Sequence, residues 1–248
     1  MKNLCLLISL TIGISSCGIY RQNVTNVPLF QEKGETQISG NISFTGYDGQ
    51  IAYSLTDKFA LISNLSMTGV KKTIYSSVNY KELNHSFLEI GAGNFKKNTN
   101  GMIYEYFLIY GNGVTSEKTT GVNDIEGHTT PYTNYKSGHY NRFLLQLDIG
   151  MVEKKIEYAF SPRIFLLNFF NINDTQNDSY KTLPRNYLWT DFAGSIKYSP
   201  IKYLKIFGQV TLTIPITGYK AAYYEASPIN YSLGLILNMN VLKDFKQH

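Results

Sequence analysis

The chain has 248 residues, a net charge of +5 from 23 Lys and Arg against 18 Asp and Glu, and two cysteines. That length suits a single β-rich domain, and the modest, scattered charge excludes a nucleic-acid interface, which requires a basic stripe interleaved with stacking aromatics. Twenty Tyr and fourteen Phe against one Trp favour strands and membrane interfaces.

The chain begins with Lys2, an apolar run over 4–14, and Ile14-Ser15-Ser16-Cys17. This is the order of a secretory signal and its cleavage site, and the run falls short of the roughly 20 residues a spanning helix needs. The four residues ending in Cys17 resemble a bacterial lipobox, although Ile14 stands where leucine is usual. The resemblance implies that residues 1–16 are removed and that Cys17 is the acylated first residue, anchored in the inner leaflet of an outer membrane. Cys5 leaves with the signal. The mature chain then keeps only Cys17, which leaves no intrachain disulfide and no thiolate metal cluster. Residues 17–35 are polar and lack alternation, and read as a tether.

From 36 to 248 the sequence reads as one barrel domain. About ten segments alternate with period two, the spacing of a strand: 36–45, 49–56, 58–68, 84–94, 101–113, 138–150, 155–171, 187–198, 203–214 and 229–241. Over 142–150, Phe143, Leu145, Leu147 and Ile149 share one face, and Arg142, Gln146, Asp148 and Gly150 the other. The connections alternate short and long after a tight first hairpin at Gly46-Tyr47-Asp48. The long ones cover 69–83, 114–137, 172–186 and 215–228. The fold class expected is an all-β, up-and-down antiparallel transmembrane β-barrel following a cleaved lipoprotein signal peptide. Both termini lie at the short-turn end, which faces the periplasm in such barrels. Ser161-Pro162-Arg163 interrupts the seventh segment, either as a bulge or as a turn that makes an eleventh strand.

Facial chemistry sets the sidedness. One face is bulky and nearly free of charge, as a lipid-facing wall must be. The other is polar but small, with Gln37, Ser39, Asn41, Ala52, Ser54, Asn64 and Ser66, which suits the inside of a narrow barrel better than a solvated exterior. The polar face carries five acids, Glu89, Glu105, Asp148, Glu157 and Asp191, and four bases, Arg142, Arg163, Lys197 and Lys205. Inside a lumen such charges must be paired or hydrated. A charge network filling the lumen is expected, with Glu89 and Glu105 as partners of Arg142 or Arg163. A carboxylate pair for hydrolysis and a selectivity constriction are the functional alternatives.

No Gly-x-Ser-x-Gly elbow and no phosphate loop is present. His128 and His139, with Asp124 or Glu126, read as solvated loop residues, not metal ligands. No catalytic residue, metal or cofactor is expected, and the chain reads as a non-enzyme.

Pro28-Leu29-Phe30, Glu32-Lys33-Gly34-Glu35 and Ala52-Tyr53-Ser54-Leu55-Thr56-Asp57 resemble the start of lipidated barrel proteins of unassigned role from Bacteroidetes. The order of later strands is similar over most of the mature chain. The resemblance implies an outer-membrane barrel and carries no catalytic residues with it. Small barrels of the OmpA and OmpX kind are an architectural analogy. The function expected is that of a membrane-embedded, lipid-anchored outer-membrane barrel acting structurally or by adhesion. Its partners are outer-membrane lipid, through the wall and the acyl anchor, and an extracellular or envelope component at the long loops. The alternatives are a narrow transport pore and a soluble lipid-anchored carrier with an apolar interior.

Overall fold

The computed structural model describes residues 20–73, 80–125, 128–175, 186–217 and 228–239. The signal segment, Cys17 and residues 240–248 lie outside the described residues, as do parts of the expected long loops. Ten strands form: β1 Thr36–Ser43, β2 Gly46–Ser54, β3 Phe59–Thr73, β4 Tyr80–Lys97, β5 Met102–Ile125, β6 His128–Glu153, β7 Ile156–Asp174, β8 Asn186–Ile201, β9 Leu204–Pro215 and β10 Ile229–Asn238. Each pairs antiparallel with its sequence neighbours, and β1 closes on β10.

The period-two pattern sorts the side chains by face. Leu145, Ile206 and Leu235 are exposed on the outside, whereas Glu105, Arg142, Asp148 and Lys197 are at most 1% exposed on the inside. The apolar exterior runs around the wall through Leu65 and Leu88, Leu108 and Phe143, Ile164 and Leu166, Val210 and Leu233. An apolar wall with every backbone group paired in a closed sheet is the solution a membrane demands of strands. It is also the reverse of a soluble carrier.

Proline 162 makes neither the bulge nor the turn expected. Gln146 pairs with Arg163 and Ile149 with Phe160, so the register is the same on both sides of it and β7 is one strand. The ladder only skips the positions opposite Ser161 and Pro162, where the missing N–H removes a rung. Arg163 stays buried.

Two long loops also need correction. The segment expected as the loop 114–137 is the upper part of a hairpin, in which Val114 pairs with His139 and the ladder continues to Ile125 and His128. Similarly, β3 and β4 pair up to Thr73 and Tyr80, inside the expected loop 69–83. Above the apolar belt the outward face turns polar, with Asn84, Ser116 and Ser137, so apolar alternation fades while the backbone ladder goes on. The Thr, Val and Tyr of these stretches still favour strand. The result is a lopsided wall: β5 and β6 have 24 and 26 residues, β1 and β2 only 8 and 9.

The largest departure is in the expected tether. Residues 20–30 lie inside the barrel, and Tyr20, Val24, Val27, Leu29 and Phe30 belong to its buried core. A solvated tether would carry charge, yet Arg21 is the single charged residue from Tyr20 to Phe30.

Candidate functional site

The site is the lumen and the segment that fills it. This segment has no ladder of its own, so its backbone groups need partners from the wall. Amide and hydroxyl side chains supply them. Gln209 accepts from Thr25 N at 2.9 Å and donates to Thr25 O at 3.2 Å, acting like a sheet neighbour. Gln50 Nε2 donates to Val24 O, Gln146 Nε2 to Asn26 O and Gln37 Nε2 to Pro28 O, at 2.7, 2.7 and 2.9 Å. Thr45 Oγ1 donates to Gln22 O at 2.7 Å.

Two charged layers clamp the segment. In the upper layer, Arg142 forms an ion pair with Glu89. Arg142 also donates to Tyr20 Oη at 2.6 Å and to Asn23 Oδ1 at 2.8 Å. Asn23 Nδ2 in turn donates to Glu89 at 2.7 Å, and Asn64 Nδ2 to the same oxygen at 2.5 Å. The Arg142 guanidinium lies 4.4 Å over the Phe87 ring. The Tyr20 ring is enclosed by Tyr140, Trp189 and Phe165 at 5.7, 5.8 and 6.1 Å. Gly113 makes room for this aromatic layer, because a Cβ there would meet the Tyr140 ring at 2.5 Å.

In the lower layer the contacts are to backbone. Leu29 is left-handed, at φ 58°, which aims the consecutive N–H groups of Leu29 and Phe30 at the Glu105 carboxylate, at 3.0 and 2.7 Å. Such a nest of N–H groups suits an anion. The strain of a non-glycine residue at positive φ is held by packing: the Leu29 side chain occupies the space where a Cβ at Gly150 would sit, 2.6 Å away. Lys197 Nζ donates to Val27 O at 2.5 Å and Pro28 O at 3.2 Å. Phe30 closes the bottom against Phe95, at 5.5 Å between ring centroids.

All nine charged residues singled out on the polar face are buried in the interior. The structure brings seven of them into three ion-paired groups and leaves two acids, Glu105 and Asp148, outside those pairs. Arg142 pairs with Glu89, Arg163 with Asp191 at 2.5 Å, and Glu157 with both Lys205 and Lys197, at 2.5 and 3.3 Å. Glu105 does not pair with arginine. It lies in register with Asp148 and binds the plug backbone, while Asp148 accepts from Gln146 at 2.9 Å. Glu89 and Glu105 therefore work in separate layers and do not form a carboxylate pair. Beside Thr25, Asn26 and Val27 the remaining void is about 10 Å³, no more than one water.

His139 is exposed on the outside of β6, its ring 5.8 Å from Phe170. Among the described residues no three of His, Cys, Asp and Glu are grouped to hold a metal ion. Asp124, Glu126 and His128 have no described side chains. What sequence reasoning missed is the plug itself: Tyr20, Asn23, Thr25 and Asn26, and the glutamines that bind them.

No protein-family model matches the sequence, and no curated protein matches it. Among solved structures the chain is similar to the outer-membrane protease OmpT from Escherichia coli, with a TM-score of 0.48 and 8% identity over 84% of this chain and 94% of that one. It is similar also to the translocator domain of the autotransporter NalP from Neisseria meningitidis, with a TM-score of 0.47 and 10% identity over 95% and 94%. A third is the KdgM porin, at 0.34 and 10% over 82% and 98%. Likenesses this distant carry neither catalysis nor cargo across.

Proposed function

We propose that this chain is a lipid-anchored outer-membrane barrel that acts as a closed scaffold, presenting its tall end to a partner outside the cell and catalysing no reaction of its own. One observation carries the reading: the lumen is filled by the protein's own residues 20–30, with Arg142, Glu89, Glu105, Lys197, Gln50, Gln146 and Gln209 among the inward polar groups engaged with that segment. A pore would need those groups free along a wet path. The tall β5–β6 hairpin gives the scaffold a surface to present, with Thr129, Thr130, Tyr135 and His139 exposed along a continuous ladder.

Planar-bilayer recording tests the closed lumen. The intact protein should show no stable conductance, and a variant lacking residues 20–30 should show channels. Ion-selective channels in the intact protein that vanish in Arg142→Met would make the transport reading correct. For the anchor, Cys17→Ala should abolish metabolic labelling by a fatty-acid analogue while heat-modifiable gel migration, the mark of an assembled barrel, persists.

A further inference from the structure

The direction of the plug carries a consequence for the side on which the N-terminus lies. Its contacts descend the wall in order. Tyr20 is enclosed by Tyr140 and Trp189, and Gln22 O is held by Thr45 in the β1–β2 hairpin. Asn23 is at Arg142, Asn26 at Gln146, and Leu29 at Glu105 and beside Gly150. Glu35 then meets Ser54 at the end of β2, where β1 begins. The segment thus runs from the long-loop end of the lumen to the short-turn end in nearly extended form. Tyr20 also lies beyond the last outward apolar pair of the tall wall, Tyr110 with Phe143, because its partner Tyr140 pairs with Gly113.

We propose that the chain is threaded through its own barrel N-terminus outward, so that residue 17 and whatever it carries are displayed on the long-loop face. Chain reach enforces this. Thirteen residues of β6 separate Tyr140 from Glu153 at the short-turn end, about 44 Å of strand and about 31 Å along the axis at a tilt of about 45°. Three residues span at most about 11 Å, so residue 17 cannot reach that end while Tyr20 stays bonded to Arg142. A second pass down the lumen has no room, since the void beside Thr25–Val27 is about 10 Å³. Where Cys17 is acylated, which rests on the lipobox reading in the proposed function, its acyl chains enter the outer leaflet, not the inner leaflet that the sequence alone suggested. An acylated terminus also cannot be pulled through a finished lumen. The wall must therefore close around the segment.

The test uses the full chain in intact cells, with one short epitope inserted after Ile19, between Glu126 and Gly127 at the β5–β6 tip, or after Thr99 in the β4–β5 turn. The expected result is that the Ile19 epitope is stained by antibody like the hairpin-tip epitope, and the Thr99 epitope only after permeabilisation. An Ile19 epitope that groups with Thr99 overturns the proposal. Val24→Cys gives a reading independent of the epitopes and of acylation. Its thiol should resist a maleimide in the heat-modifiable, folded form and react after heat unfolding. Labelling of the folded form above the parent chain would show that the segment does not thread the lumen, and the outward terminus falls with it.

Discussion

The two charged layers that hold the plug differ in what they read. The upper layer binds side chains: Arg142 and Glu89 together recognise the amide of Asn23, and Arg142 the hydroxyl of Tyr20. The lower layer binds backbone: Glu105 takes two N–H groups and Lys197 two carbonyls. The upper layer therefore specifies which residues sit there, while the lower specifies only the path of the chain. A buried ion pair with its remaining donors satisfied is costly to break from one side, whereas a carboxylate on backbone N–H groups tolerates a neutral replacement that still accepts.

Breaking the upper layer should have the largest effect. Arg142→Met leaves the buried Glu89 carboxyl without its ion-pair partner, a loss of about 3–5 kcal/mol. It would be seen as a lower denaturant midpoint for loss of the heat-modifiable form. The double variant with Glu89→Met should recover much of that loss, and a wild-type midpoint for Arg142→Met alone would show that the pair does not hold the plug. Asn23→Ala comes next. It removes one partner from each member of the pair and should cost about 1–3 kcal/mol. The lower layer should be softer: Glu105→Gln has nearly the same shape and keeps one acceptor for the plug, and about 1 kcal/mol is expected. A cost for Glu105→Gln equal to that of Arg142→Met would erase the distinction between the layers.

The wall was legible in the sequence because both of its faces are chemically marked. Every strand announces itself where one side is an apolar exterior and the other a polar lumen, as in Phe143, Leu145 and Leu147 against Arg142, Gln146 and Asp148. Where that contrast ends, the signal ends, and the strand above Val114 reads as loop although its ladder continues to Ile125. The plug was illegible for a related reason. Residues 20–30 bond to side chains far away in sequence, such as Gln209 and Lys197, and no periodicity results. The sequence nevertheless carries two clues: a near-absence of charge from Tyr20 to Phe30, and a surplus of Gln and Asn on the inward face, which charge pairing alone does not require.

The smallest effect belongs below both layers, where the plug leaves the lumen. Glu35 accepts from the N–H groups of Gln31 and Glu32 at 2.7 and 2.8 Å, and it is buried beside Ser54. Burial pushes its carboxyl above the usual value, outweighing the two N–H bonds that favour the charged form. A carboxyl whose pKa is raised in the folded state contributes stability that is fully present below its unfolded pKa of about 4.3. That contribution is lost as pH rises through the folded value. Glu35→Gln accepts the same bonds without ionising. Compared with the parent chain, it should gain stability as pH is raised from about 4 towards neutrality, read as a widening gap between the two denaturant midpoints. A gap that narrows over that range would mean that the two N–H bonds outweigh burial at Glu35.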